Sequence, residues 1–122
     1  MADEPKRFVI QKHVRQTDVH WDFMIEQGGC LQTWRIDTAP DKFTHDAVNA
    51  EKIPDHPLRF LTYEGPVNKG KAAVQIADCG TYRIVEKDES NITLDMDGKI
   101  LQGKFSLKHI DNKNWQILPI IP

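Results

Sequence analysis

Cysteine is scarce. Cys30 and Cys79 are the only two in 122 residues, and nothing in their spacing requires a pair. A disulfide framework is excluded, and two isolated thiols fit a reducing cytoplasm. Long apolar runs are also missing: no stretch approaches the roughly 20 residues of a membrane-spanning helix. The charged start from Met1 to Arg7 has no apolar segment behind it and does not read as a signal peptide. Charge of one sign is lacking too, with 16 Lys and Arg against 18 Asp and Glu, a net charge of −2. A dedicated duplex binder is usually basic, so any nucleic-acid contact must be local, such as the end of a strand. There is no internal repeat, low-complexity tract or linker. What remains is a globular composition, 39% hydrophobic and 28% charged, in a chain long enough to bury a core without staples. A flexible start over 1–6 and a single domain over 7–122 are expected.

Apolar patterning predicts short strands. Val19 to Glu26 alternates, with His20, Asp22 and Met24 on one side and Trp21, Phe23 and Ile25 on the other. Gln27-Gly28-Gly29 turns the chain into a second strand from Leu31 to Ile36, making a hairpin, and Phe8 to Gln11 reads as a strand before it. From Asp37 to His56 the pattern dissolves, which predicts a long loop with one helical turn near 46–50. Further strands are predicted over Arg59 to Tyr63, Ala73 to Ala77, Gly80 to Lys87, Asn91 to Asp95, Ile100 to Lys108 and Trp115 to Ile120. Many short strands with close turns predict an all-β fold, a compact single-domain β-barrel or barrel-like sandwich of antiparallel strands. Trp21, Trp34 and Trp115 are expected in the core.

The chemistry concentrates in Lys12-His13 and His20-Trp21-Asp22. Residues two apart on a strand share a face, so His20 and Asp22 can converge, and His13 can add a third ligand from the preceding strand. Two imidazoles and a carboxylate leave positions open for water and substrate, which suits a catalytic manganese or zinc ion. The same spacing also occurs on solvated strand faces, so alone it leaves a surface reading open. His56, between Pro54-Asp55 and Pro57, stands in a restrained segment where an imidazole can act as a general acid or steady a phosphate; an exposed loop histidine is the plainer reading. Glu26 can orient a histidine ligand from behind, or simply be solvated. Arg15, Arg35 and Arg59, with Lys12, Lys69 and Lys71, are the local cations, each of which also reads as ordinary surface charge. His45 and His109 are assigned to the surface.

The runs RFVIQKH, HWDFMIE, GGCLQTW, DHPL, YEGPV, DCGTY, DGKILQGKFSL and NWQIL occur in that order and span Arg7 to Leu118. Together they resemble the 3′-phosphoesterase domain found at the N-terminus of bacterial ligase D, in a stand-alone branch. The resemblance implies a compact β-barrel working with manganese, which trims a 3′-terminal ribonucleotide from a primer and removes the resulting 3′-phosphate. It implies His13, His20 and Asp22 as metal ligands, with His20 and His56 in catalysis and His56 contacting the phosphate. Three positions depart from the pattern: Met24 stands where the family has an arginine, Phe60 a tyrosine and Pro54 a glutamate. The glycine-rich stretch after Lys69 is reduced to Lys71-Ala72-Ala73. Methionine cannot grip a phosphate bidentately, so Arg15, Arg35 or Arg59 is expected to replace the arginine at the substrate, and Met24 is expected to border the metal pocket.

Two functions follow, and a barrel with no metal at all is the plainest third reading. One is a metal-dependent phosphoesterase acting on nucleic-acid 3′-ends in DNA repair, with Mn2+, or Zn2+ or another divalent ion, as cofactor. The other is a weak or inactive metal-containing module that binds DNA ends or a repair partner. The expected partners are a nucleic-acid 3′-end and a DNA ligase or polymerase encoded elsewhere; a cytoplasmic monomer without membrane association is expected.

Overall fold

The computed structural model describes residues 4–120, so the ends of the expected segments 1–6 and 7–122 lie outside the described residues. The strands are β1 (Lys6–Arg15), β2 (Val19–Gln27), β3 (Cys30–Ile36), β4 (Val48–His56), β5 (Gly65–Val67), β6 (Ala72–Lys87), β7 (Asn91–Gly98), β8 (Gln102–Asp111) and β9 (Asn114–Pro119). Each pairs antiparallel with its neighbours in the order β1-β2-β3-β4-β9-β8-β7-β6, and β1 also pairs with β6. The ring therefore closes as an eight-stranded barrel, with β5 set beside β6. Closure removes the open edges a sheet would otherwise present. Among the described residues no helix is long and apolar enough to cross a membrane.

Alternation sorts the wall into two faces. Phe8 and Ile10 of β1, Phe23 and Ile25 of β2, and Trp34 and Ile36 of β3 point inward, meeting Leu94, Phe105, Leu107 and Ile117 from the far side. Trp21, Trp34 and Trp115 all belong to this interior packing. A second, smaller apolar cluster of Val9, Met24, Leu31 and Leu61 lies on the outer face, flanked by Phe60 and Ile76.

Four expectations are corrected. The predicted loop over 37–56 holds β4, which pairs with both β3 and β9; its polar sequence hid it because its outer face is solvated. The helical turn is a 3-10 turn at Pro40–Thr44 rather than near 46–50, started by the proline at its first position. The strand predicted from Arg59 to Tyr63 is a 3-10 turn over Leu58–Leu61, in which Phe60 N–H donates to the Pro57 carbonyl. The two strands predicted over Ala73 to Ala77 and Gly80 to Lys87 are the single strand β6, which runs through Cys79-Gly80 without a break. Gly80 is required there because a Cβ would collide with the Asp97 carbonyl.

Two bulges set which side chains reach the outer face. In β6, Ala77 is the extra residue between the pairs Ile10↔Asp78 and Gln11↔Ile76. Val74 and Ile76 therefore face out while Ala77, Tyr82 and Ile84 pack on the interior. In β4, Pro54 and Asp55 stand opposite the single residue Gln32 of β3, between the pairs Ile53↔Thr33 and His56↔Leu31. Pro54 falls at this irregularity, where its missing N–H costs no ladder bond.

Candidate functional site

The outer faces of β1 and β2 bring the predicted residues together by register. Gln11 stands opposite Asp22, and His13 opposite His20. Opposed Cβ atoms in such a pair lie about 5 Å apart, and the His13 and His20 rings stack with centroids 4.5 Å apart at 16°. His20 Nε2 is 3.2 Å from Asp22 Oδ1, a close approach that is not aligned as a hydrogen bond. His20 and Asp22 are buried, at 7% and 3% exposure. His13 has its pKa lowered, first by burial and then by the neighbouring His20, which favours the neutral ring with a free lone pair.

Buried polar atoms are almost always hydrogen-bonded. Among the described residues four buried side-chain atoms lack a partner: His13 Nδ1, His20 Nδ1, Asp22 Oδ1 and Trp34 Nε1. Three of the four belong to the predicted ligand set. Two nitrogens and a carboxylate oxygen with unused lone pairs fit a divalent cation in donor type. The donors are gathered without converging on a common point, and among the described residues no three His, Cys, Asp or Glu side chains are arranged to hold a metal ion.

His13 and Asp22 open on a cavity of about 140 Å3 that His56 also lines, together with Gln11, Phe60, Val67, Asn68 and Val74. His20 is not on its surface; it backs His13. The β4 bulge puts His56 opposite Leu31, on the outer face. His56 Nδ1 lies 3.0 Å from the Pro54 carbonyl and 3.0 Å from Thr33 Oγ1. A carbonyl only accepts, and the Thr33 hydroxyl already donates to the Leu31 carbonyl. Nδ1 therefore carries a hydrogen, leaving Nε2 as the nitrogen free for the cavity. Phe60 packs edge-on against the ring, with centroids 5.7 Å apart. Asp55, beside His56, accepts from the Cys30 thiol at 3.2 Å, and this bond raises the Cys30 pKa.

The cover over the cavity is tied down by Gln11, whose amide nitrogen donates to the Phe60 and Tyr63 carbonyls, both at 2.9 Å. Gln11, Thr33 and Asn68 were not singled out from sequence. Period two places Gln11 on the face of His13 and Thr33 on the face of Leu31, so their placement was readable once the strands were known. Asn68 comes from a chain reversal whose direction has no periodic signal.

Other predicted site residues lie elsewhere. Arg15 is bound to Asp18 at 2.7 Å at the β1–β2 turn. Arg35 lies 3.6 Å from Asp37 and lines a separate cavity with Glu51 and Asn114. Arg59 lies 4.9 Å over the Phe60 ring. None of the three lines the cavity of His13. Glu26 accepts from the Arg7 N–H at 3.1 Å and from its guanidinium at 3.5 Å, contacts that lower its pKa, so it clasps the start of β1 instead of orienting a histidine. Met24 shares the outer face of Asp22 but does not border the cavity. It is fully buried beneath Leu61, against Val9 and Leu31, because an apolar side chain there gains more from packing than from facing polar groups.

Residues 11–109 match the family described as the DNA Ligase D 3′-phosphoesterase domain. The multifunctional non-homologous end joining DNA repair protein LigD of Mycobacterium tuberculosis is 30% identical over 118 residues, 88% of this chain and 15% of the relative. The corresponding proteins of Mycolicibacterium smegmatis and Pseudomonas aeruginosa are 28% and 26% identical over 89% and 83% of this chain, and 16% and 13% of their own lengths. The chain thus spans about a sixth or less of the curated relatives it matches. With the match covering most of its length, the chain belongs to the DNA ligase D 3′-phosphoesterase domain family.

Proposed function

We propose that this domain is a divalent-metal-dependent phosphoesterase acting on nucleic-acid 3′-ends, removing a 3′-ribonucleotide or 3′-phosphate. The single observation that carries this reading is the set of unpartnered buried atoms on His13, His20 and Asp22 beside a cavity that His56 lines. These three side chains would hold the ion, manganese being the first choice. When bound it supplies a polarised phosphoryl group and a water of lowered pKa. His56 is restrained through Nδ1 and presents Nε2, which in the protonated ring donates to a phosphoryl or leaving oxygen. Gln11 holds the cover closed over the site, and Phe60 and Val74 keep bulk water from its apolar side. The family membership supports the reaction class, and the multifunctional repair proteins among the relatives support a ligase or polymerase as partner.

The test is incubation of the protein with manganese and a primer ending in a 3′-ribonucleotide or a 3′-phosphate. A shortened or dephosphorylated product that requires the ion, and disappears in His20→Ala and His56→Ala, is expected. A second reading is favoured by one observation: among the described residues no Lys or Arg lines the cavity. On that reading the domain binds a DNA end without turnover. Metal binding lost in His20→Ala, with no product from the native protein, would select it.

A further inference from the structure

A phosphate ester entering this cavity needs hydrogen-bond donors for its non-bridging oxygens, and the cavity offers few. Its amides, hydroxyls and imidazoles can be accounted for in turn. Gln11 uses its amide nitrogen on the Phe60 and Tyr63 carbonyls. The neighbouring Thr33 hydroxyl donates to the Leu31 carbonyl. His13 and Asp22 belong to the set that would hold the ion. Beyond His56 Nε2, this leaves Asn68, which lines the cavity and whose carboxamide makes no hydrogen bond among the described residues.

The backbone around Asn68 is unusual. Asn68 stands at φ +55, Lys69 at +58 and Gly70 at +84, three successive residues in the left-handed region. Asparagine and glycine tolerate this region; lysine does so at a cost. Strained backbone of this kind persists only where its surroundings enforce it, and it gathers at ligand sites. Here the reversal is clamped by Val67↔Ala72 pairing and by Lys71 N–H donating to the Asn68 carbonyl at 3.1 Å. The clamp turns the short Asn68 side chain into the cavity already ordered, so little freedom is lost on binding.

We propose that Asn68 is a substrate-positioning residue whose carboxamide N–H groups donate to a non-bridging phosphoryl oxygen. The assignment rests on the reading that a phosphate ester occupies the cavity. Because the donor is neutral, it orients the phosphoryl group without adding positive charge.

The experiment uses inorganic phosphate titrated into the metal-free protein, followed by the side-chain amide resonances of Asn68. Asn68→Asp and Asn68→Gly both accept a left-handed backbone, so both variants keep the fold, checked by an unchanged melting midpoint. A shift of the Asn68 amide resonances in the native protein, and phosphate affinity weakened roughly tenfold or more in both variants, is expected for a lost hydrogen bond to a charged group. On a primer 3′-phosphate the same variants should raise KM while leaving the pH profile of kcat in place. Phosphate affinity equal to native in both variants, or no phosphate binding by the native protein, overturns the assignment. Phosphate binding through Asn68 without manganese-dependent turnover retains Asn68 and rejects the hydrolase reading instead.

Discussion

At the scale of single residues, Met24 shows how burial overrides a position in a motif. The arginine of the family pattern suggests that Met24→Arg should restore a phosphate grip. The side chain instead lies fully buried among Val9, Leu31 and Leu61. An arginine there would bury an unpaired guanidinium, at a cost of about 3–5 kcal/mol. Met24→Arg should therefore lower the denaturation midpoint in urea and leave turnover on a 3′-phosphate unimproved. A variant with native stability and raised turnover would show that the side chain escapes the cluster and reaches the cavity. His13, His20 and Asp22 were legible because strand periodicity is strict and their register is direct. The fate of Met24 was not, since alternation names a face without saying what covers it.

At the scale of elements, the β4 bulge decides whether His56 belongs to the site. A slip of one residue along a strand carries a side chain to the opposite face. Ile53 and His56 both face outward only because one extra residue intervenes opposite β3. Deleting Pro54 and Asp55 together would place His56 directly after Ile53, opposite Gln32 in a regular ladder, and should turn it toward the barrel interior. The measurement is manganese-dependent release of a 3′-terminal nucleotide, which should fall to the level of His56→Ala; an undiminished rate would mean that the ladder re-forms its bulge elsewhere. The bracketing prolines Pro54 and Pro57 were visible in the sequence, and they correctly marked a restrained segment. That the segment is the end of a strand was hidden, because β4 draws half its pairing from β9, some sixty residues further along the chain.

At the scale of the whole molecule, barrel closure links the ends of the wall through buried polar groups. Asp78, 2% exposed, accepts from the backbone N–H groups of Cys79, Lys99 and Leu101, fixing β6 to the β7–β8 turn. Gly98 lies against it, where a Cβ would come within 2.7 Å of its carboxylate. This accounts for the DCGTY and DGKIL runs as structural rather than catalytic. Tyr82 reaches across the interior and donates to the Glu26 carbonyl at 2.6 Å, and burial, with Glu26 second, raises its pKa to about 12. A tyrosine ionises near pH 10 in the unfolded chain. The folded state thus retains a proton that the unfolded state gives up. Stability contributed by Tyr82 is whole below pH 10 and declines as the pH climbs toward about 12. Thermal melts across this range should show a steeper alkaline loss for the native protein than for Tyr82→Phe; parallel curves would place the loss in other groups.

The division of the wall into an inner core and an outer face that carries the cavity has an optical consequence. All three tryptophans lean on the interior core, whereas the cavity on the outside borders none of them. Tryptophan emission should follow the integrity of the barrel and stay silent when phosphate enters. The Met24 methyl resonance, from the cluster shared with Phe60 of the cavity wall, should respond to occupancy. Unfolding and ligand capture can then be recorded in one sample through two signals that do not overlap.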